Sequence, residues 1–302
     1  METANDPGAR EALAPGRGPL SCDTALAGRI ERAEAQLITR CCEAARRRTG
    51  AEGFAIPIPI AGGVASFTGE GSPFSKVAGL GFAGLPGSAA LDGIEKAFLA
   101  CGSPVQVELA HLADPAIAAL LAGRGYRLES FENVLGRDLS GGLQPVLPPG
   151  VEVRRSGPDE LDAWLDVVVE GSVHPDGQGV PWHEEFPREM LIEAERDGIA
   201  AGDVRYAGLL GGILAGGATM RIAEGVAQLT GAATAPAHRR RGVQTALLAA
   251  RLADAAAAGC DVAVIVTQPG SKSQQNAQRQ GFDLLYTRAV LVKHPLEGDK
   301  HE

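Results

Sequence analysis

The chain has 302 residues, 28 basic and 37 acidic side chains, a formal net charge of −9 and 45% hydrophobic residues. This is the composition of a globular protein long enough for two domains or one large one. The acidic balance excludes a chain that coats nucleic acid through a broad basic surface, so any anion site has to be local. Five cysteines show no CxxC pair and no His at a zinc-ligand spacing, which supports neither a disulfide framework nor a metal site. No apolar run of roughly 18 residues occurs and residues 1–20 do not read as an export leader, so no membrane partner is expected and the cytoplasm is the expected compartment.

Residues 1–20 are rich in Gly, Pro and Ala and are predicted to form a disordered tail, having too little apolar surface to offset their ordering entropy. Leu26, Ile30, Ala33, Leu37, Cys41 and Ala44 then recur at three- and four-residue intervals, which predicts a helix ending before Gly50. Cys41 and Cys42 on that helix read as buried packing. The apolar runs at 56–69 and 76–82, broken by Gly and Pro, precede a helix at 89–101, a strand at 104–110, a helix at 115–124 and paired strands at 126–131 and 133–139. The uncharged, Pro- and Gly-rich segment Ser140–Gly150 is the linker candidate. The predicted units are therefore a first domain at 21–140, a linker at 141–150 and a second domain at 151–295.

The second domain opens with a strand at 151–156 and a helix led by Pro158 in its first turn. A second helix follows near Glu184 to Arg196, then three strands at 203–210, 213–222 and 226–234 joined by Gly211-Gly212 and Ala223-Glu224-Gly225 as tight hairpins. A basic turn, a helix at 245–259, a strand at 260–267, a polar helix at 271–280 and strands at 282–289 and 290–294 complete it. Sliding the end of the first half by 156 residues brings Gly125, Leu128 and Val134 onto Gly281, Leu284 and Val290, which suggests a duplicated fold.

The segment Leu229 to Ala246 carries the strongest chemical signal. A strand, a Pro, three consecutive Arg, one Gly and an Ala- and Leu-rich helix follow one another. Such a turn aims the free amides of a helix N-terminus at an anion, and Arg239, Arg240 and Arg241 add cationic heads for a phosphate or pyrophosphate. Gly242 would let a ligand approach the backbone. The competing reading is a solvated basic turn.

Arg239-Arg240-Arg241-Gly242-Val243-Gln244, with Pro236 ahead of it, resembles motif A of the GNAT acyltransferase superfamily, with Gln244 in place of the final Gly or Ala. The element order over 151–293 is similar to that superfamily too. The resemblance implies an α/β (α+β) fold of two GNAT-like domains in tandem, each a mixed, mostly antiparallel sheet flanked by helices, with the cofactor turn lost from the first. It implies acetyl-CoA as co-substrate and no metal, with Ala232, Ala233 and Thr234 along the acetyl arm, Val266 to Gln268 opposite, and Arg239 to Thr245 at the pyrophosphate. Ser273 and Asn276 are further CoA contacts on this reading, with a helix N-cap and a solvated face as the alternative. The Tyr that often protonates the leaving thiolate is replaced by Ala277, and no base is identified. Trp182, His183 and Glu184 fall where the superfamily builds its acceptor wall. The implied reaction is acetyl transfer to a primary amine of a small molecule or peptide. A different acyl group, and a non-catalytic acyl-CoA sensor, are the alternatives. The oligomeric state stays open, a homodimer included.

Overall fold

The computed structural model describes residues 18–50, 57–141, 148–175 and 186–295. Residues 1–17, most of the linker, and Trp182, His183 and Glu184 lie outside the described residues. The first half folds as α1 (Thr24–Thr49), β1 (Ile58–Ile60), β2 (Gly63–Ser66), β3 (Lys76–Ala78), α2 (Ser88–Ala100), β4 (Val105–Ala110), α3 (Pro115–Gly123) and β5 (Arg127–Asp138). The second half comprises β6 (Val151–Arg155), α4 (Leu161–Val173), α5 (Arg188–Ala200), β7 (Val204–Leu210), β8 (Ile213–Ala223), β9 (Val226–Thr234), α6 (Val243–Ala257), β10 (Val262–Thr267), α7 (Lys272–Arg279) and β11 (Asp283–Lys293). Helix α5 begins only after Pro187, later than the sequence pattern suggests, because a proline is tolerated at a helix entry and not within it.

The 11 strands of the described residues form one sheet in the order β1-β2-β3-β4-β11-β5-β10-β9-β8-β7-β6. Its hairpins follow from local chemistry. Ala61-Gly62, Gly211-Gly212 and Glu224-Gly225 all take positive φ, the requirement of the two-residue type I′ turn that matches strand twist. The segments expected as paired strands at the end of each half are instead single long strands, β5 and β11. No turn separates their parts; a bulge bends each strand and keeps it continuous.

Those two strands join the halves. β5 lies between β11 and β10, and β11 lies between β4 and β5, all antiparallel. Each half thus places its final strand against the other half's sheet. The register shifts fall at Glu129 in β5 and Leu285 in β11, and Glu132 faces Arg288 between them. Both pairs are related by the 156-residue offset seen in the sequence, so a pseudo-twofold axis passes between Glu132 and Arg288.

α1 sits in the hollow of this sheet. Asp23 caps it by accepting from the Leu26 amide at 2.8 Å, and Ala27, Ile30, Leu37, Ile38, Cys41 and Cys42 are buried. Cys41 and Cys42 are free thiols, both pushed up in pKa by burial, as packing rather than nucleophilic residues would be. α1 also buries two carboxylates. Glu31 accepts from Arg288 Nε (2.8 Å) and from the Tyr286 hydroxyl (2.7 Å). Glu34 accepts from Gln228 Nε2 at 3.0 Å and lies 3.9 Å from Lys76 Nζ. Gln228 is in β9 and Lys76 in β3, far apart in strand order, so the sheet must curl around the helix for both to reach one side chain. Lys76 also donates to Glu108 at 2.8 Å, and Arg288 reaches Glu108 at 3.5 Å. The layer buries Glu31, Glu34, Glu108 and Glu132, with Lys76 and Arg288 as the cations in contact with them, so negative charge is in excess there. Burial and the neighbouring Glu108 charge push Glu132 up to about 8, which relieves the imbalance by keeping a proton on it at neutral pH.

Candidate active site

β9 and β10 run parallel, but they pair only from Val226–Gln228 to Val262–Val264. Beyond that they part. β10 continues straight along β5 as far as Thr267 opposite Asn133, while β9 bends toward β8 through a bulge. Between the pairs Gly217–Ala233 and Thr219–Thr230, two residues of β9, Gly231 and Ala232, face one of β8. Gly231 takes φ +54, the left-handed conformation that a bulge of this kind needs. The widened ladder is held from below by Arg251 of α6, wholly buried, whose Nη1 donates to the carbonyls of Thr219 (3.0 Å) and Thr230 (3.2 Å). Desolvation by burial lowers its pKa to about 10.

Small residues bring α4 onto the end of β9. A Cβ on Gly217 would lie 2.5 Å from the Trp164 indole, and one on Gly171 would lie 2.9 Å from Ala233. Ala233 is buried against Trp164 and Val168, so its small size serves helix packing. Ala232 is exposed on the open side of the bulge. Thr234 Oγ1 is buried without a hydrogen-bond partner. Across the gap, Val266 is exposed, while the Thr267 hydroxyl and both amide atoms of Gln268 are buried without partners. The gap is thus edged by orphaned polar atoms, which normally mark a place where a ligand or water belongs.

The basic turn lies at the mouth of this gap. Gly242 caps α6 at φ +85 with no side-chain capping bond, leaving the amides of Val243, Gln244 and Thr245 at the helix start without an intrahelical partner. The Val243 side chain is core, whereas Gln244 and Thr245 are half-buried. Gly242 was expected to admit a ligand, but the close neighbour is the chain itself: a Cβ there would lie 2.6 Å from Pro148. Arg239 also departs from expectation. Its guanidinium donates to the carbonyls of Thr234 (3.2 Å), Gly171 (3.0 Å) and His174, tying the end of α4 to the end of β9. Arg240 and Arg241 are exposed beside the uncapped start of α6.

On α7, Ser271 is the N-cap, accepting from the Gln274 amide at 3.1 Å. Ser273 is exposed and Asn276 accepts from Arg279 at 3.3 Å, a solvated helix face. Ala277 is buried in the core, so no acid stands at that position.

The residue that sequence reasoning misses is Glu195. From α5 its carboxylate reaches the bulge: a Cβ on Gly231 would lie 2.9 Å from Glu195 Oε1 and 2.7 Å from Thr219 Oγ1. Burial, and then the Asp203 charge, raise Glu195 to about 8, a proton affinity suited to acid–base work near neutral pH. Gly231→Ala is therefore expected to strain the turn and crowd Glu195, costing roughly 1–3 kcal/mol in thermal unfolding. Among the described residues no group of three His, Cys, Asp or Glu could hold a metal, and no helix is long and apolar enough to cross a membrane.

The first half offers a contrasting end to its parallel pair. β3 and β4 pair only at Val77 and Val107, but the following loop is stitched shut by the Asp114 amide donating to the Gly81 carbonyl at 3.2 Å. A Cβ on Gly81 would lie 2.3 Å from Ala113. The gap that is open in the second half is filled here.

Residues 171–282 match the family described as Acetyltransferase (GNAT) family. Among solved structures, a GCN5-related N-acetyltransferase from Kribbella flavida is 21% identical, with 84% of this chain and 95% of that chain covered at a TM-score of 0.56. One from Sphaerobacter thermophilus is 15% identical, covering 88% and 94% at 0.54. A tandem GNAT protein from the clavulanic acid biosynthesis pathway is 13% identical, covering 86% and 95% at 0.52. These likenesses are likenesses of fold. No curated protein matches the chain at significant similarity. Residues 171–282, which hold the splayed strands and the uncapped helix behind the basic turn, thus match the GNAT acetyltransferase family model, and the chain shares the fold of a tandem GNAT protein.

Proposed function

We propose that the protein is an acetyl-CoA-dependent N-acetyltransferase with one active site, in its second half. The carrying observation is the divergence of β9 and β10 above the open N-terminus of α6, with Glu195 at the β8–β9 bulge. The pyrophosphate of acetyl-CoA would be held by the α6 amides and by Arg240 and Arg241. Its pantetheine arm would occupy the gap, meeting the backbone of Gly231 and Ala232 on one side and Gln268 on the other. A primary amine of a small molecule or peptide would attack the thioester as Glu195 takes its proton. Ala277 has no proton to give. A thiol of ordinary pKa near 8.5 is a good leaving group without an acid, so one base suffices.

The closed β3–β4 loop supports a first half that keeps the fold without binding the co-substrate, with the halves divided near 141–150. Isothermal titration of acetyl-CoA checks this. One site per chain is expected, weakened about tenfold or more in Arg240→Ala/Arg241→Ala by loss of charge-assisted bonds. No binding by folded wild-type protein would overturn the reading.

A further inference from the structure

The buried stripe of α6 carries one residue that packing does not call for. Val243 and Leu247 are buried at the four-residue spacing of one helix face. The next position on that face, where another apolar side chain would extend the stripe, is Arg251, 1% exposed. Its Nε donates to the Leu247 carbonyl at 3.2 Å, and its Nη1 to the carbonyls of Thr219 (3.0 Å) and Thr230 (3.2 Å). With a pKa lowered only to about 10, it stays charged at neutral pH. Arg288, which meets carboxylates, is pushed up instead. A buried cation spent on peptide carbonyls is costly to keep.

The Thr230 carbonyl belongs to the peptide whose N–H is that of Gly231. A trans peptide points these two groups in opposite directions, and no cis peptide occurs among the described residues. The guanidinium holds the carbonyl between β8 and β9, so the Gly231 amide points away from β8, to the side where β10 has parted from β9. On the opposite sheet face the Thr219 and Thr230 hydroxyls bond to each other at 2.8 Å, which pins the same peptide from its other side. We infer that Arg251 is a positioning residue of the reaction, polarising the Thr230–Gly231 peptide from behind so that the Gly231 amide meets the thioester oxygen as a strengthened donor. This rests on the reading of the gap as the seat of the acetyl arm. As the amine attacks, the C–N bond forms and the carbonyl π pair moves onto oxygen. The pair returns as the C–S bond breaks, the sulfur leaves with its electrons, and Glu195 takes the amine proton. The amide is thus used most when the oxygen is most negative, and the buried charge of Arg251 reinforces it in a setting where fixed donors act strongly. Arg251 itself does not touch the substrate.

The test uses the full-length protein, acetyl-CoA labelled with carbon-13 at the thioester carbonyl, and a panel of primary amines. In Arg251→Met and in Arg251→Gln, kcat is expected to fall about tenfold or more, short of the roughly 10²–10³-fold loss on deleting an oxyanion donor outright. The dissociation constant of acetyl-CoA, from isothermal titration, should stay within about twofold of wild type. Infrared difference spectra recorded without amine should place the bound thioester carbonyl stretch below that of free acetyl-CoA in wild type, and return it toward the free value in both variants. Arg251→Lys keeps the charge and should recover most of the rate and of the shift. Two neutral variants keep the test open if one of them folds poorly. A stretch that does not move in the neutral variants would overturn the role of Arg251, as would a loss shared equally by Arg251→Lys and accompanied by weaker acetyl-CoA binding, the mark of a mere prop. Failure of acetyl-CoA to bind folded wild type would overturn the proposed function and this inference with it, whereas binding with an unmoved stretch overturns Arg251 alone.

Discussion

Glu195→Gln is expected to lower acetyl transfer by about 10²–10⁴-fold, the usual contribution of a positioned general base, while leaving the dissociation constant of acetyl-CoA within about twofold of wild type. The amide keeps the shape of the carboxylate and its place against Gly231 and Thr219, so the gap between β9 and β10 should not change. What it loses is the ability to accept a proton. In wild type the rate should climb as pH rises through about 8, where Glu195 becomes ionised, and then level off. The sign follows from the group's raised pKa: below it the carboxyl is protonated and cannot act as a base. In Glu195→Gln that rise should vanish. Rates measured over pH 6–10 with a panel of primary amines and acetyl-CoA check both points, and a variant that keeps the wild-type rate and profile would remove Glu195 from the chemistry.

Arg288→Ala is expected to cost about 3–5 kcal/mol of folding stability, the penalty for breaking a buried charge network by deleting one partner. Arg288 is 1% exposed and is in contact with Glu31 and Glu108, with Glu132 opposite it across the pseudo-twofold axis. Without it Glu31 would lose its ion-pair partner and Glu108 would keep only Lys76. The Arg288 charge holds the Glu31 and Glu108 carboxyls down, so without it both would bind protons more readily. The loss should therefore be largest at alkaline pH and shrink toward pH 5, where protons replace the missing cation. Urea unfolding at several pH values measures this directly. Arg288→Met with Glu31→Leu should recover much of the loss, because an apolar pair of similar volume often matches a buried ion pair.

The basic turn was legible in the sequence because its physics is local. A Gly at a left-handed N-cap and arginines beside a helix start are all within six residues. The division of labour among those arginines was not legible, since Arg239 is spent on the carbonyls of Gly171 and His174, some 65 residues away along the chain. Glu195 was hidden for the same reason. It is one of three glutamates in α5, and nothing in that helix distinguishes it. Its meaning comes from Gly231 in a distant bulge and from Asp203 beyond the helix end. The element order of both halves could be read from periodicity and turn residues. The exchange of β5 and β11 could not, because either partner would satisfy the same alternation of side chains; the faint 156-residue repeat was its one trace.

That exchange sets a schedule for the newly made chain. When the first half leaves the ribosome, β4 has its parallel neighbour β3 but lacks β11, which is made last of all the strands. β5 likewise waits with both its edges bare until β10 and β11 have been synthesised. The first half is thus committed to an incomplete sheet for most of translation, and unpaired strand edges of that kind invite pairing with other chains. Completion depends on contacts of long sequence separation, which form slowly. A chain cut at the linker would yield two pieces, each missing the strand that finishes its sheet, and the two pieces would be expected to regain a native sheet only by reassociating.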